Sequence, residues 1–269
     1  MTSILDNIYA AKRVEVRARR AIVSPMAIVA EAGRAPKPRD FVAALRARRP
    51  AIIAEIKRAS PSKGDIMPGL DPANVAREYV AGGAAAISVL TDVHFKGSLD
   101  DLRAVRAAVD VPLLRKDFIF EPYQVYEARA AGADCILLIA AMLDAAAIAL
   151  LASLARELKM AALVEVHDVA ELRLAERSGA EVIGINNRDL HTFATDIAVT
   201  ERLLEGYAGA ALVVSESGID SPGDIRRLDR AGARAFLIGE SLLGGGNPRA
   251  RLTELMAALG VNQGAPKQP

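Results

Sequence analysis

The chain has 269 residues, and 34 lysines and arginines against 33 aspartates and glutamates leave a formal net charge of +1. That balance gives no reason to expect nucleic acid, a membrane surface or another polyanion as partner. A composition of 52% hydrophobic and 25% charged residues is globular, and the single cysteine, Cys135, excludes an internal disulfide framework and a cysteine-cage metal site.

The first residues lack a basic stretch followed by an apolar run, so no secretory signal is expected, and Asp6 and Glu15 weaken a transit-peptide reading of the arginine-rich stretch 12–20. A soluble, cytoplasmic protein is the expectation. Residues 1–49 read as a helical extension: SILDNIYAAKRVEVRARRAI as one helix and PRDFVAALRAR as another, joined by a loop containing APKP. The extension either caps one end of the following domain or packs against its outside.

From residue 50 to about 260 the chain repeats an apolar run, a polar loop and an amphipathic helix. The predicted strands are 51–57, 85–90, 111–117, 134–140, 161–167, 181–186, 211–217 and 235–239. The apolar window 135–155 is interrupted by Asp144 and is read as a buried strand followed by an alanine-rich helix rather than a membrane span. Several helices end in glycine before the next strand, as in AGGAA, AAGAD, RSGAE and RAGAR, which fits a left-handed C-terminal cap. Strand-then-helix alternation demands parallel strands. Eight such units predict an α/β fold, a single (β/α)₈ TIM barrel with an N-terminal helical extension, close to the roughly 250 residues usual for that barrel. The tail 261–269 has no periodicity and is expected to be disordered.

Barrels of this kind place chemistry at the carboxyl ends of their strands, and charge accumulates there. Glu55 and Lys57 lie two apart on the first strand, so they share a face. The loop RASPSKG follows with Ser60. The third strand ends in Arg115, Lys116, Asp117 and Phe118; the fifth carries Glu165; the sixth runs into Asn186, Asn187, Arg188 and Asp189; the seventh ends in Glu216, Ser217 and Gly218. Glu55, Lys57, Lys116 and Glu165 are read as functional, because buried charges cost several kcal/mol unless well paired. Arg115 and Asp117 are read as outward ion pairs, and Asn187 and Asp189 as loop structure. The starts of the last two loops, Ser217-Gly218 and Gly239-Glu240-Ser241, suit a phosphate site, with the Glu240 side chain turned away. His94, His167 and His191 are expected at the surface and Cys135 as an inert buried thiol.

The segments IAEIKRASPSKG, LLRKDFI, LVEVH, IGINNRDL, SESGI and FLIGESLL, in this order and spread over the whole barrel, resemble the indole-3-glycerol-phosphate synthase family of tryptophan biosynthesis. The resemblance implies ring closure of 1-(2-carboxyphenylamino)-1-deoxyribulose 5-phosphate with loss of CO₂ and water, with no cofactor and no metal. It implies Lys116 as general acid, Glu165 as partner acid or base in dehydration, Lys57 near the reacting groups, and Glu55 and Asn186 as further members of the catalytic set. By the same resemblance Ser60, Phe118, Leu137, Arg188 and Glu216 bind substrate, Arg188 through the aromatic carboxylate and Phe118 and Leu137 along the anthranilate end. Ser217, Gly218, Gly239 and Glu240 hold phosphate. The expected partner is this small phosphorylated molecule, and the expected state a monomer or weak homo-oligomer. The rival readings are a phosphoribosylanthranilate isomerase, which resembles an acid–base pair with cysteine where this chain has Lys57; a Schiff-base aldolase using a strand-end lysine; and a non-catalytic phosphometabolite-binding subunit.

Overall fold

The computed structural model describes residues 4–60, 64–67, 69–190, 192–244 and 246–260. Eight parallel strands close into a barrel: β1 (Ala51–Ile56), β2 (Ala86–Leu90), β3 (Leu113–Lys116), β4 (Cys135–Ile139), β5 (Ala161–Val166), β6 (Val182–Asn186), β7 (Leu212–Glu216) and β8 (Ala235–Ile238). Each pairs with its neighbours in sequence, and β1 closes the ring against β8, with Ala51 opposite Ala235. Ala59–Ser60 and Gly64–Asp65 add a small antiparallel ladder beyond β1. The predicted tail lies outside the described residues.

The helices between strands are α4 (Pro72–Ala81), α5 (Leu99–Ala108), α6 (Pro122–Ala130), α7 (Ala145–Glu157), α8 (Val169–Arg177), α9 (Ala198–Leu204) and α10 (Pro222–Ala231), with α11 (Glu240–Leu243) and α12 (Pro248–Met256) after β8. Most begin at an Asp, Ser or Asn whose side chain accepts a first-turn amide, as Asp144 does from Ala147 at 2.8 Å. The predicted glycine caps form: Gly132 and Gly232 have φ of 91° and 118°, and the residue after each donates five residues back, Ala133 to Ala128 and Ala233 to Leu228. No helix among the described residues is long and apolar enough to cross a membrane.

Strand alternation divides the core in two. Ile52, Ala54 and Ile56 of β1 face outward into a cluster with Val75, Leu102, Ile148 and Leu172 of the helices. Ala51 and Ile53 face inward with Leu114, Cys135, Leu137, Leu163, Val182, Val214 and Leu237. The inward parity continues upward into Glu55, Lys116, Glu165 and Glu216, so apolar layers fill the lower barrel and charge occupies the top.

The described residues 4–49 contain three helices rather than two: α1 (Ile4–Ile22), α2 (Pro25–Arg34) and α3 (Phe41–Arg46). The linker expected between two helices is largely α2, which starts at a Ser24 cap followed by Pro25, a favoured pairing at a helix start. The described part of the extension touches the barrel in two places. Phe41 and Leu45 of α3 join the inner cluster at the amino ends of the strands, while Ile28 and Val16 pack with Tyr123 on the outer ring. At the other end, fully buried Lys12 of α1 lies 2.6 Å from Asp92, 2.8 Å from Asp117 and 2.8 Å from Glu15. Burial opposes its charge, but the two aspartates outweigh burial and raise its pKa above the ordinary lysine value. Removing one partner of such a cluster strands the others. Lys12→Met is expected to destabilise the fold by about 3–5 kcal/mol, measured as a lower urea midpoint.

Candidate active site

At the carboxyl ends of the strands a cavity of about 460 Å³ is lined by Glu55, Lys57, Lys116, Phe118, Leu137, Glu165, Asn186, Arg188, Ser217, Gly218, Gly239 and Glu240. The barrel thus brings together site residues dispersed through nearly two hundred positions. Glu216 stands beside them through its bond to Lys116. Ser60 ends the short ladder after β1, but its side chain lies outside the described residues, as do Pro61, Ser62, Lys63 and His191.

Lys116 is the centre. Its Nζ lies 3.2 Å from Glu165 Oε2 and 3.2 Å from Glu216 Oε2. Burial disfavours the ammonium, yet the attraction of Glu165, Glu216 and Glu55 prevails and its pKa rises above the ordinary value. The carboxylates divide. Burial pushes Glu165 up, but Lys116 and bonds from His167 and Asn186 carry it well below the usual carboxylate range. Burial dominates Glu216, and the nearby negative charges of Glu165 and Glu55 add to it against Lys116, so it is pushed up to about 7. One ammonium cannot hold every carboxylate around it ionised.

Two glycines make room for these groups. A Cβ at Gly184 on β6 would sit 2.0 Å from Glu216 Oε1, and one at Gly239 would sit 2.6 Å from Glu55 Oε1. Lys57 Nζ lies 3.3 Å from Glu55 and 3.3 Å from Glu240. The Glu240 carboxylate also accepts from Arg188 Nη2 at 3.1 Å. Its side chain therefore stays on the cavity wall instead of turning away, because two cations neutralise it there. Arg188 also donates to the Phe193 carbonyl at 3.3 Å.

One end of the cavity is apolar. Phe118 and Leu137 line it, with Phe95 stacked on Phe118 at 6.4 Å between ring centroids. Leu5 and Ile8 of α1 also line the cavity. The opposite end is backbone-rich: Ser217 and Gly218 have φ of 66° and 73°, and a left-handed serine is costly unless its surroundings hold it. Asn187 does so, donating to Ser215 Oγ at 3.0 Å and to the Ser217 carbonyl at 3.1 Å.

Several expectations are met and, besides that for Glu240, one more is corrected. Arg115 points outward, 2.8 Å from Asp117 and 2.9 Å from Glu127 on α6. Cys135 is buried. His94 is exposed beside Asp92. His167, expected at the surface, is largely buried between Glu165 at 3.4 Å and Glu171 at 3.0 Å. Its position two residues after Glu165 on one strand was the available signal. Leu5, Ile8 and Phe95 had no comparable signal, since loop and helix packing brings them in. No group of three or more His, Cys, Asp or Glu side chains suited to a metal ion occurs among the described residues.

Residues 5–255 match the family model for indole-3-glycerol phosphate synthase. The chain belongs to that family. An indole-3-glycerol phosphate synthase of Mycobacterium ulcerans is 47% identical over 266 residues, covering 98% of this chain and 97% of the relative. One from Roseiflexus sp. is 49% identical over 265 residues, covering 95% and 98%. Solved structures share the fold at low identity. Thiamine phosphate pyrophosphorylase from Pyrococcus furiosus has a TM-score of 0.59 at 17% identity, over 79% of this chain and 96% of that one. N-acetylmannosamine-6-phosphate 2-epimerase from Clostridium perfringens has a TM-score of 0.58 at 15% identity, over 76% and 93%.

For a member of the indole-3-glycerol phosphate synthase family, the raised Glu216 pKa has a consequence for stability. A carboxyl that holds its proton longer when folded stabilises the fold below its unfolded pKa and loses that contribution as pH rises through its folded pKa. From the ordinary glutamate value to about 7, the parent is expected to lose urea stability relative to Glu216→Gln, with the gap widening as pH rises.

Proposed function

We propose that the chain converts 1-(2-carboxyphenylamino)-1-deoxyribulose 5-phosphate into indole-3-glycerol phosphate, releasing CO₂ and water. The observation that carries this reading is the Lys116 ammonium, 3.2 Å from each of two buried glutamates, between an apolar and a glycine-lined end of one cavity. The carboxyphenyl ring fits against Phe118, Leu137, Leu5 and Ile8, with Arg188 near its carboxylate. The phosphate fits the backbone at Ser217-Gly218 and Gly239-Glu240. Anchoring both ends of a flexible chain brings its aromatic carbon onto its carbonyl and removes much of the entropic barrier.

Lys116 then acts as general acid. Its raised pKa keeps the proton in place at neutral pH, and the strongly basic oxygen that develops on the attacked carbonyl takes it. Loss of CO₂ restores the aromatic ring. Glu165, held ionised, serves as base in the dehydration, with the ammonium of Lys57 as acid for the departing oxygen. Glu55, Asn186 and Glu216 hold these groups in place.

The rivals fit less well. A Schiff base needs a neutral amine, and Lys116 is held charged. The isomerase reading needs a thiol at the end of the first strand, and Cys135 lies buried at the start of β4. A binding subunit has no need of a buried acid–base set. A biosynthetic reaction in a chain with one cysteine supports a cytoplasmic setting.

Incubation with the carboxyphenylamino deoxyribulose phosphate, without added metal or cofactor, is expected to raise indole fluorescence. Lys116→Ala is expected to lower kcat by about 10²–10⁴ with little change in substrate binding; preserved turnover in that variant removes its role as acid. Gly218→Asp places a negative charge beside the phosphate and is expected to raise KM by about tenfold or more, measured in the same assay.

A further inference from the structure

His167 stands outside the proton-transfer groups assigned above, yet its ring is the second cation on Glu165. Leu163 and Glu165 share the inward parity of β5, and His167 follows directly after the strand ends at Val166. The start of α8 fixes it there. Asp168 caps that helix, accepting from the Glu171 amide at 2.9 Å. Glu171 reaches back: its Oε2 accepts from the His167 backbone amide at 2.8 Å and lies 3.0 Å from Nδ1. With Nδ1 tied down, Nε2 faces Glu165 Oε1 at 3.4 Å, while Glu165 Oε2 faces Lys116. Each oxygen of Glu165 has its own cation.

We propose that His167 is a positioning residue for the ring-closure reaction, an imidazolium clamped by Glu171 that holds Glu165 ionised and aimed at the reacting atoms. This rests on the reading of Glu165 as the base. The groups that face this pair are Lys116 from β3, Asn186 at the end of β6, Glu216 from β7, Glu55 from β1 through Lys116, and Glu171 from α8; β4 sets Ile139 opposite Glu165. Lys116 and His167 supply the positive charge in this set. Lys116 surrenders its charge when it gives up its proton, and His167 is then the cation left on Glu165. Burial opposes the charged ring, but the ion-pair contact with Glu165 and the bond to Glu171 outweigh it and push His167 up to about 10. Both ring nitrogens therefore keep their protons near neutrality, and the ring is a fixed charge rather than a shuttle.

The test compares kcat and KM of the parent, His167→Gln, His167→Lys and Glu171→Gln from about pH 3 to 9 on the proposed substrate, and follows the His167 ring of the parent by ¹⁵N NMR. His167→Gln is expected to lose about tenfold or more in kcat with KM within about twofold. The acid limb of its kcat profile is expected to move up by about one unit, as a carboxylate does on losing a cation. Glu171→Gln shifts the same limb by less and carries the test if His167→Gln does not fold, and His167→Lys recovers part of the shift. Unchanged kcat and acid limb in a folded variant, with or without lower thermal stability, overturn the proposal, as does a parent ring that titrates near the ordinary ~6.5. A parent that forms no product overturns the assigned reaction instead, and the ring titration alone then decides the clamp.

Discussion

One ammonium among buried carboxylates sets the conditions for the rest of the molecule. Lys116 is favourable inside the barrel only because Glu165 and Glu216 each approach it to 3.2 Å, and those glutamates are favourable only because the lysine is there. The apolar layers below exclude water and strengthen the attraction. The two glutamates respond in opposite directions, one held ionised and one retaining a proton toward neutrality. The same ammonium thus leaves its two nearest carboxyls with different charges at rest.

The strand carrying this lysine supports a second ionic network on its other face. Arg115 and Asp117 flank Lys116 in sequence, and alternation turns them outward to Glu127, Thr91 and Lys12. Asp117 is held well below the ordinary carboxylate range, since Arg115 and Lys12 outweigh its burial. The outward network ties α1 to the loops after β2 and β3, and α1 brings Leu5 and Ile8 to the cavity. The part of the cavity wall that α1 supplies is thus tied to the central lysine through three consecutive residues.

The barrel was legible because its signals are local and repeated. Each apolar run reappears as a strand within two residues of the expected bounds, and the glycines before β2, β4, β6 and β8 terminate helices as their backbone freedom allows. The charged residues were legible for a related reason: inward parity along β1, β3, β5 and β7 carries each to the top layer. What escaped is tertiary. His167 looks like a loop residue until Glu171 is seen to anchor it, and Glu240 looks misplaced until Lys57 and Arg188 are found beside it. The helix α2 carried a legible Ser24-Pro25 start, overshadowed by the proline-rich segment that follows.

Gly184 and Gly239 hold no charge and donate no proton, yet the space where their side chains would stand is filled by oxygens of Glu216 and Glu55. The active layer is thus specified partly by missing atoms. A transplant of this chemistry to another eight-stranded scaffold must carry over those two empty positions along with the lysines and glutamates. A scaffold with alanine at either would reject the carboxylate before any substrate arrived.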